Sequence, residues 1–504
     1  MILLVVALMV RVIFLRTSLT NDEASVAVVT TSEGAWRQET QLYAPLVYLL
    51  TAISARLSES EWWLRVMVAL LPALVTLVGV YALGLKLGGH KVGLLATIFL
   101  ATNTFHAYYS GMVLPASLCA LWTVWSWFFL SERCSVGRDA YQVSRSHPRS
   151  VAARLSPLTR DLGWFLVCSV AGVYTSYFYW LVLAGQWLYL AGRRQWRLLV
   201  WAVGVPVVSF LPWLTMLWRQ LAWQQEMLAA FPAWREIVSF SLWRTPAVTL
   251  GKFLFGMVDL EANWLFGLLT LLWVFLVVAA TVTGNWRQGR WQEKAWLAMC
   301  ALGWPLVLAA LVGWWLPVVR PEKLIFLLAW VYLLLAWLMA AGRGKMRPCA
   351  WWLAVVMLTF NLGSIAVYTV SGYGHEDWRG LLARLHETYD ETEMVVLFAY
   401  PTPPAAWEWY ERQTKTGQRF ASVNVDTYQV SESDDLSRQI GLVRNYRQVV
   451  MLDYLRLTDS EQAIPQLLRA WQFEETVPFC YPHTLGCVRV YSQPVAGEDL
   501  EGTV

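Results

Sequence analysis

Apolar stretches dominate the first three quarters of the chain. Runs close to the ~20 residues needed to cross a bilayer recur at 1–15, 64–84, 92–109, 112–130, 162–177, 178–192, 198–217, 262–283, 296–316, 323–341 and 350–370. The pattern predicts about eleven transmembrane helices, with very short turns inside 92–130 and 162–192. Between the first two spans, segment 16–63 carries the apolar run 42–50, followed by Ser58-Glu59-Ser60-Glu61. That run suits a helix lying along the interface better than one crossing it. Segment 218–261 is similar: Trp218, Trp223, Trp234 and Trp243 alternate with Arg219, Arg235, Arg244 and Lys252. Most of these are headgroup-level anchors, and a minority of the arginines suits bidentate phosphate binding.

After Val370 the period changes. Residues 377–389 form an amphipathic helix with Trp378, Leu381, Leu382 and Leu385 on one side. Strands are expected at 394–399, 448–452 and 488–491, and helices at 405–413 and 463–471. Their alternation predicts a small α/β domain around a mostly parallel sheet. The fold class is therefore a mostly α polytopic membrane protein, residues 1–370, with a C-terminal α/β domain, residues 371–504. The acidic last ten residues read as a loose end.

Composition agrees. The chain has 504 residues, 57% hydrophobic and 15% charged, with 32 Trp. A soluble protein would carry roughly a quarter charged residues, so most of this chain belongs in lipid. The first segment lacks a small-residue cleavage site and keeps Arg11 near its middle, which argues for a retained span over a signal peptide. Orientation follows from the basic residues. Arg133, Arg138, Arg145, Arg149, Arg154 and Arg160 crowd segment 132–161, and Lys86, Lys91, Arg193, Arg194, Arg287, Lys294, Arg343 and Arg347 mark other turns on the same side. That side is cytoplasmic by the positive-inside rule, which places the acidic first loop and the tail after residue 370 on the opposite face. The net charge of +4 is thus a topology signal and gives no reason to invoke nucleic acid.

Chemistry-bearing residues are few. Cys119, Cys168 and Cys300 lie in spans, and no Cys/His cluster suggests zinc. Cys480 and Cys487 stand alone in the C-terminal domain, separated by Pro482 and Gly486, so a turn bringing the sulfurs into a disulfide is expected in an oxidising compartment; an unpaired, buried couple is the bland alternative. The first loop opens with Thr20-Asn21-Asp22-Glu23, two adjacent carboxylates where a span meets water. Acidic groups there are candidates for proton transfer or cation binding; taken alone, Asn21 or Asp22 reads better as a cap for the next helix, and the position in the whole chain reverses that preference.

The order of several motifs resembles the bacterial members of the GT-C glycosyltransferases, in the family 39 or aminoarabinose-transferase-like group. It runs from an Arg-containing first span through Leu19-Thr20-Asn21-Asp22-Glu23-Ala24, Pro45-Leu46-Val47-Tyr48-Leu49-Leu50, Leu64-Arg65-Val66 and Tyr108-Tyr109-Ser110. Tyr174-Thr175-Ser176-Tyr177-Phe178, Leu211-Pro212-Trp213 and Asp377-Trp378-Arg379 follow. The resemblance covers nearly the whole chain. It implies transfer of a sugar from a polyprenyl-phosphate donor to a glycan, lipid or protein acceptor on the outer face of a bacterial inner membrane, with the N-terminus cytoplasmic and the C-terminal domain periplasmic. It implies Asp22, with Glu23 beside it, as catalytic base or as carboxylate for a divalent cation such as Mg or Mn. Arg65, Tyr43, Tyr109, Arg320 and Lys323 are implied at the donor, with the cation from the Arg320-Pro321-Glu322-Lys323 turn meeting the lipid phosphate.

The chain also departs from that pattern. After Tyr108-Tyr109-Ser110 the family continues with an acidic residue and, two positions on, an arginine; here Met112 and Leu114 stand in their region. Tyr43 and Ala44 replace a histidine before the proline of the interfacial helix, and Ser176 stands where a histidine often follows Tyr-Thr. Two readings therefore stand: an inverting lipid-phosphosugar-dependent transferase, and a catalytically silent relative serving as a lipid-binding or structural subunit of a membrane complex. A transporter would need charged or broken mid-membrane helices and internal repeats, and neither is visible.

Overall fold

A computed structural model describes residues 2–31, 43–143, 151–230, 244–256, 289–316, 319–341, 346–371, 376–400, 402–413, 419–425, 433–452, 462–481 and 485–493, with isolated positions between 267 and 274. The chain divides into two compact units. One comprises Met1–Arg16, Val29–Gln224 and Arg235–Val370, the other Thr17–Val28, Gln225–Trp234 and Ser371–Val504.

The first unit is helical. Among the described residues four helices are long and apolar enough to cross a membrane: Glu61–Gly88, Trp196–Glu226, Glu293–Trp315 and Pro321–Ala340. Shorter apolar helices include α1 (Ile2–Leu15), His90–Thr102 and the interfacial candidate Pro45–Ala55. At 1.5 Å per residue, Glu61–Gly88 reaches about 42 Å, more than a ~30 Å hydrocarbon core. The expected span at 262–283 lies almost wholly outside the described residues.

Prolines set the local geometry of two long helices. Pro72 and Pro305 have no N–H to give and crowd the carbonyl four residues back. The turn before each widens to π geometry, at Val66–Leu70 and Met299–Gly303, so that Leu71 N–H bonds Val66 C=O and Trp304 N–H bonds Met299 C=O. Segment 132–161 was expected to be a loop. Instead the helices Pro115–Val143 and Val151–Thr175 run into it from both sides, and only 144–150 fall outside the described residues. No proline occurs between Ala116 and Val143, so nothing stops the first helix at the membrane edge. The turn between Glu61–Gly88 and His90–Thr102 needs Gly89, whose φ is +86°. The two helices meet so closely that a Cβ on Gly84 would lie 2.6 Å from Gly93 Cα.

Two buried polar clusters tie the bundle together. Arg11, wholly buried, donates through Nη1 to Ala7 C=O (2.8 Å) and Ala101 C=O (3.0 Å), through Nε to Ser110 Oγ (3.2 Å) and through Nη2 to His106 Nδ1 (2.7 Å). Because Nδ1 accepts, the ring proton is assigned to Nε2. The expected continuous span 92–109 breaks at Asn103. Its Oδ1 caps the helix Thr104–Tyr109 by accepting His106 N–H (2.8 Å), while its Nδ2 donates to Tyr332 Oη (2.7 Å), Phe253 C=O (3.1 Å) and Asn361 Oδ1 (3.1 Å). Polar groups out of reach of water are mostly satisfied within the protein, and these two clusters do so across several helices, except at His106 Nε2, which is buried without a hydrogen-bond partner among the described residues.

Among the described residues of the second unit five strands form one sheet: β1 (Met394–Phe398), β2 (Ala421–Asn424), β3 (Gln448–Leu452), β4 (Glu474–Tyr481) and β5 (Gly486–Ser492). Their order is β2-β1-β3-β5-β4, with β1 parallel to β2 and β3, and β5 antiparallel to β3 and β4. The sheet is thus mixed instead of mostly parallel: too few residues separate Tyr481 from Gly486 for a crossover helix, so the last pair is a hairpin. The edge strands β2 and β4 and the helix Ser433–Gln439 were not expected, since their polar, half-exposed positions carry little hydrophobic signal. One face of the sheet buries Val395, Leu397, Val449, Met451 and Tyr491 against Leu436, Ile440, Ile464 and Leu468. Cys480 and Cys487 are cross-strand partners joined by a disulfide with an S–S distance of 2.00 Å.

Candidate active site

The acidic turn lies in the second unit, at the start of α2 (Asn21–Thr31). Helices leave their first N–H groups without intrahelical partners, and the sequence Thr20-x-x-Glu23 supplies a capping box. Thr20 C=O accepts the first helical bond from Ala24 N–H (2.9 Å). Glu23 Oε2 accepts from Thr20 N–H (3.1 Å) and Thr20 Oγ1 (3.3 Å), and Thr20 Oγ1 accepts from Glu23 N–H (3.4 Å). The cap is therefore Thr20, a correction to the expectation of Asn21 or Asp22. Glu23 is wholly buried in this arrangement, whereas Asp22 is exposed. Of the two adjacent carboxylates, one builds the turn and the other faces outward.

The turn is also bonded to residues more than 350 positions away. Asn21 N–H donates to Glu376 Oε2 (2.7 Å), which also accepts from Trp378 Nε1–H (2.8 Å). Ser18 Oγ donates to Glu376 C=O, and Leu19 N–H donates to Tyr410 Oη (2.6 Å). Asn21 Oδ1 accepts Ala406 N–H (3.3 Å), so it caps the helix Ala405–Arg412, whose own N-cap residue, Pro404, makes no side-chain cap bond. Asp377 Oδ1 caps the helix Trp378–Thr388 by accepting Gly380 N–H (3.0 Å). Three helix N-termini thus meet at one place, with Asn21 capping Ala405–Arg412 and Glu376 accepting from the start of α2. Sequence reasoning missed Glu376 and Tyr410, because partners so distant in sequence leave no periodic signal; it also missed the Thr20/Glu23 box, whose spacing was the available signal.

The other expected site residues belong to the first unit. Arg65 is buried and donates through Nη1 to Leu15 C=O (3.3 Å). Tyr43 N–H donates to Tyr48 Oη (3.3 Å), and the two rings lie 6.5 Å apart. Tyr109 is buried against Phe105 (5.0 Å) and Tyr108 (5.3 Å). Arg320 is ion-paired with Glu322 (2.8 Å), and Lys323 Nζ lies 5.9 Å from the Phe178 ring centre. Met112 and Leu114, at the positions of the missing charges, are both buried. Ser110 and His106 beside them serve Arg11.

A divalent cation needs several hard oxygen or imidazole donors at one point. Among the described residues no three His, Cys, Asp or Glu side chains come together in that way, and Glu23 spends its carboxylate on Thr20. Among the described residues, the donors near Asp22 do not make up such a set.

No protein-family profile matches the chain, and no curated protein matches it in sequence. Solved structures do. ArnT from Cupriavidus metallidurans bound to undecaprenyl phosphate aligns over 98% of this chain and 98% of its own, with a TM-score of 0.52 at 13% identity. Its apo form aligns over 97% of each chain with a TM-score of 0.53 at 12% identity. The fold is that of the GT-C glycosyltransferases. An oligosaccharyltransferase from Archaeoglobus fulgidus, tethered to an acceptor peptide containing the NVT sequon, aligns over 96% of this chain and 73% of its own, with a TM-score of 0.50 at 12% identity. The GT-C likeness therefore takes in the C-terminal domain as well as the helical region.

Proposed function

We propose that this chain is an inverting membrane glycosyltransferase that moves a sugar from a polyprenyl-phosphate carrier to an acceptor on the outer face of a bacterial inner membrane. The observation that carries this reading is the end-to-end GT-C fold it shares with an undecaprenyl-phosphate-bound enzyme. The exposed Asp22 on a rigidly capped turn supports it.

In this reading Asp22 accepts the proton of the acceptor hydroxyl as the oxygen attacks the anomeric carbon. The bond to the lipid phosphate breaks in the same displacement, its electron pair leaving with the phosphate, and the configuration inverts. Arg65, Arg320 and Lys323 are the cations assigned to the phosphate charge, with Tyr43 and Tyr109 beside the donor. Glu23 has a structural part: it holds Thr20 and keeps the turn closed.

A second reading has its own support. Met112 and Leu114 are apolar and buried where the family carries charge, which favours a silent relative that keeps the lipid site and works inside a membrane complex. Lipid-linked sugars and surface glycans compared in membranes with and without this protein separate the two. The transferase reading predicts accumulation of a polyprenyl-phosphate sugar when the protein is absent. Identical lipid-sugar and glycan profiles would favour the silent relative.

A further inference from the structure

We infer that Glu376 and Tyr410 are positioning residues that hold the Asp22 turn from the C-terminal domain, an inference that rests on the reading of Asp22 as the base. Hydrogen bonds from this domain reach Ser18, Leu19 and Asn21, all within four residues of Asp22. Leu19 N–H, on a residue with no exposed surface, ends on Tyr410 Oη at 2.6 Å. Asn21 N–H, the residue directly before Asp22, ends on Glu376 Oε2 at 2.7 Å. The same carboxylate oxygen is fixed by Trp378 Nε1–H at 2.8 Å, and Trp378 is itself wholly buried. Ser18 Oγ adds a bond to the Glu376 carbonyl.

These contacts differ from ordinary capping. Thr20 and Glu23 already close the first turn of α2 from within. The remote pair adds a second set of acceptors aimed at the residues just before Asp22, and each acceptor belongs to the C-terminal fold. Glu376 precedes the cap Asp377 of the helix Trp378–Thr388, and Tyr410 lies on the helix Ala405–Arg412. An anionic carboxylate beside the N-terminus of α2 is favoured by the helix dipole, so Glu376 is stabilised where it stands. A base fixed on both sides along the chain meets the acceptor hydroxyl with little loss of freedom, and misplacement by about 1 Å costs about a hundredfold in rate.

The experiment uses the full-length enzyme in lipid nanodiscs, with three variants: Glu376→Ala, Glu376→Gln and Tyr410→Phe. Two quantities are read: steady-state kinetics with a polyprenyl-phosphate sugar donor, and amide hydrogen exchange at Leu19 and Asn21. Glu376→Ala and Tyr410→Phe should lower kcat by about ten- to a hundredfold with KM for the donor unchanged, and should deprotect the two amides. Glu376→Gln keeps an acceptor oxygen and should recover most of both. Unchanged protection in Glu376→Ala and Tyr410→Phe overturns the tether. Lost protection with wild-type kcat overturns the positioning role. A wild-type protein inactive with its donor overturns the parent reading of Asp22 instead, and the exchange data tell that failure apart from a failure of the tether.

Discussion

At the scale of single residues, the adjacent carboxylates Asp22 and Glu23 have separate tasks. Glu23 is buried and accepts two hydrogen bonds from Thr20. Its replacement by Ala leaves the Thr20 N–H unpaired in a buried turn, which costs about 1–3 kcal/mol. Glu23→Gln keeps an acceptor and should retain nearly full stability and transfer. Melting temperature and turnover of the two variants check this. Asn21→Ala should weaken a different helix from its own, since Asn21 Oδ1 caps Ala405–Arg412; the expected loss is about 1 kcal/mol, seen as faster amide exchange near Ala406. Although the sequence pointed to Asn21 or Asp22 as the cap and the Thr20/Glu23 box was missed, the start of a helix at this turn was legible. That Asn21 serves a helix nearly four hundred residues away was not, because such a partner is chosen by tertiary packing alone.

At the scale of elements, the strongly periodic segments were legible and the half-exposed ones were not. The helix Trp378–Thr388 and the strands β1 and β3 follow from their buried apolar faces. Edge strand β4 carries Glu474 and Glu475, and its register depends on pairing with β5. That edge gives a pH prediction. Burial would raise the Glu475 carboxyl, but hydrogen bonds and charge from Arg469 and Arg489 outweigh it and hold the group below its usual value. The folded state therefore binds this proton less readily than the unfolded chain. The stabilisation is present above about pH 4.5, the usual glutamate value, and fades as pH falls through the depressed one. Thermal melts of wild type and Glu475→Gln should differ above the usual glutamate value and converge as pH falls through the depressed one. A constant difference would show that Glu475 acts through packing instead. Reducing the Cys480–Cys487 bond, which closes a short loop across β4 and β5, should cost about 2–3 kcal/mol of domain stability in a chemical melt.

At the scale of the whole molecule, a likeness of 12–13% identity to solved structures leaves the fold intact while few side chains are shared. The long apolar runs and the change of period after residue 370 carried the architecture in the sequence. Helix breaks carried less: the break at Asn103 arises from bonds to Tyr332, Phe253 and Asn361, which no local pattern announces. The proposed orientation puts the basic segment 132–161 in the cytoplasm and the C-terminal domain outside. Impermeant thiol labelling of cysteines introduced singly at 144–150 and on the helix Ser433–Gln439 should modify the second site in intact cells and the first only after lysis. The reverse pattern would invert the topology.

The central claim is that Asp22 serves as the base of a lipid-dependent sugar transfer while Glu23 only shapes its turn. Transfer from a polyprenyl-phosphate sugar, measured side by side for wild type, Asp22→Asn and Glu23→Gln in the same membranes, tests it most directly. The account predicts a loss beyond about a hundredfold for Asp22→Asn, within the ~10²–10⁴ that general-base catalysis supplies, with near-wild-type transfer for Glu23→Gln. Wild-type activity in Asp22→Asn, or loss confined to Glu23→Gln, would contradict it.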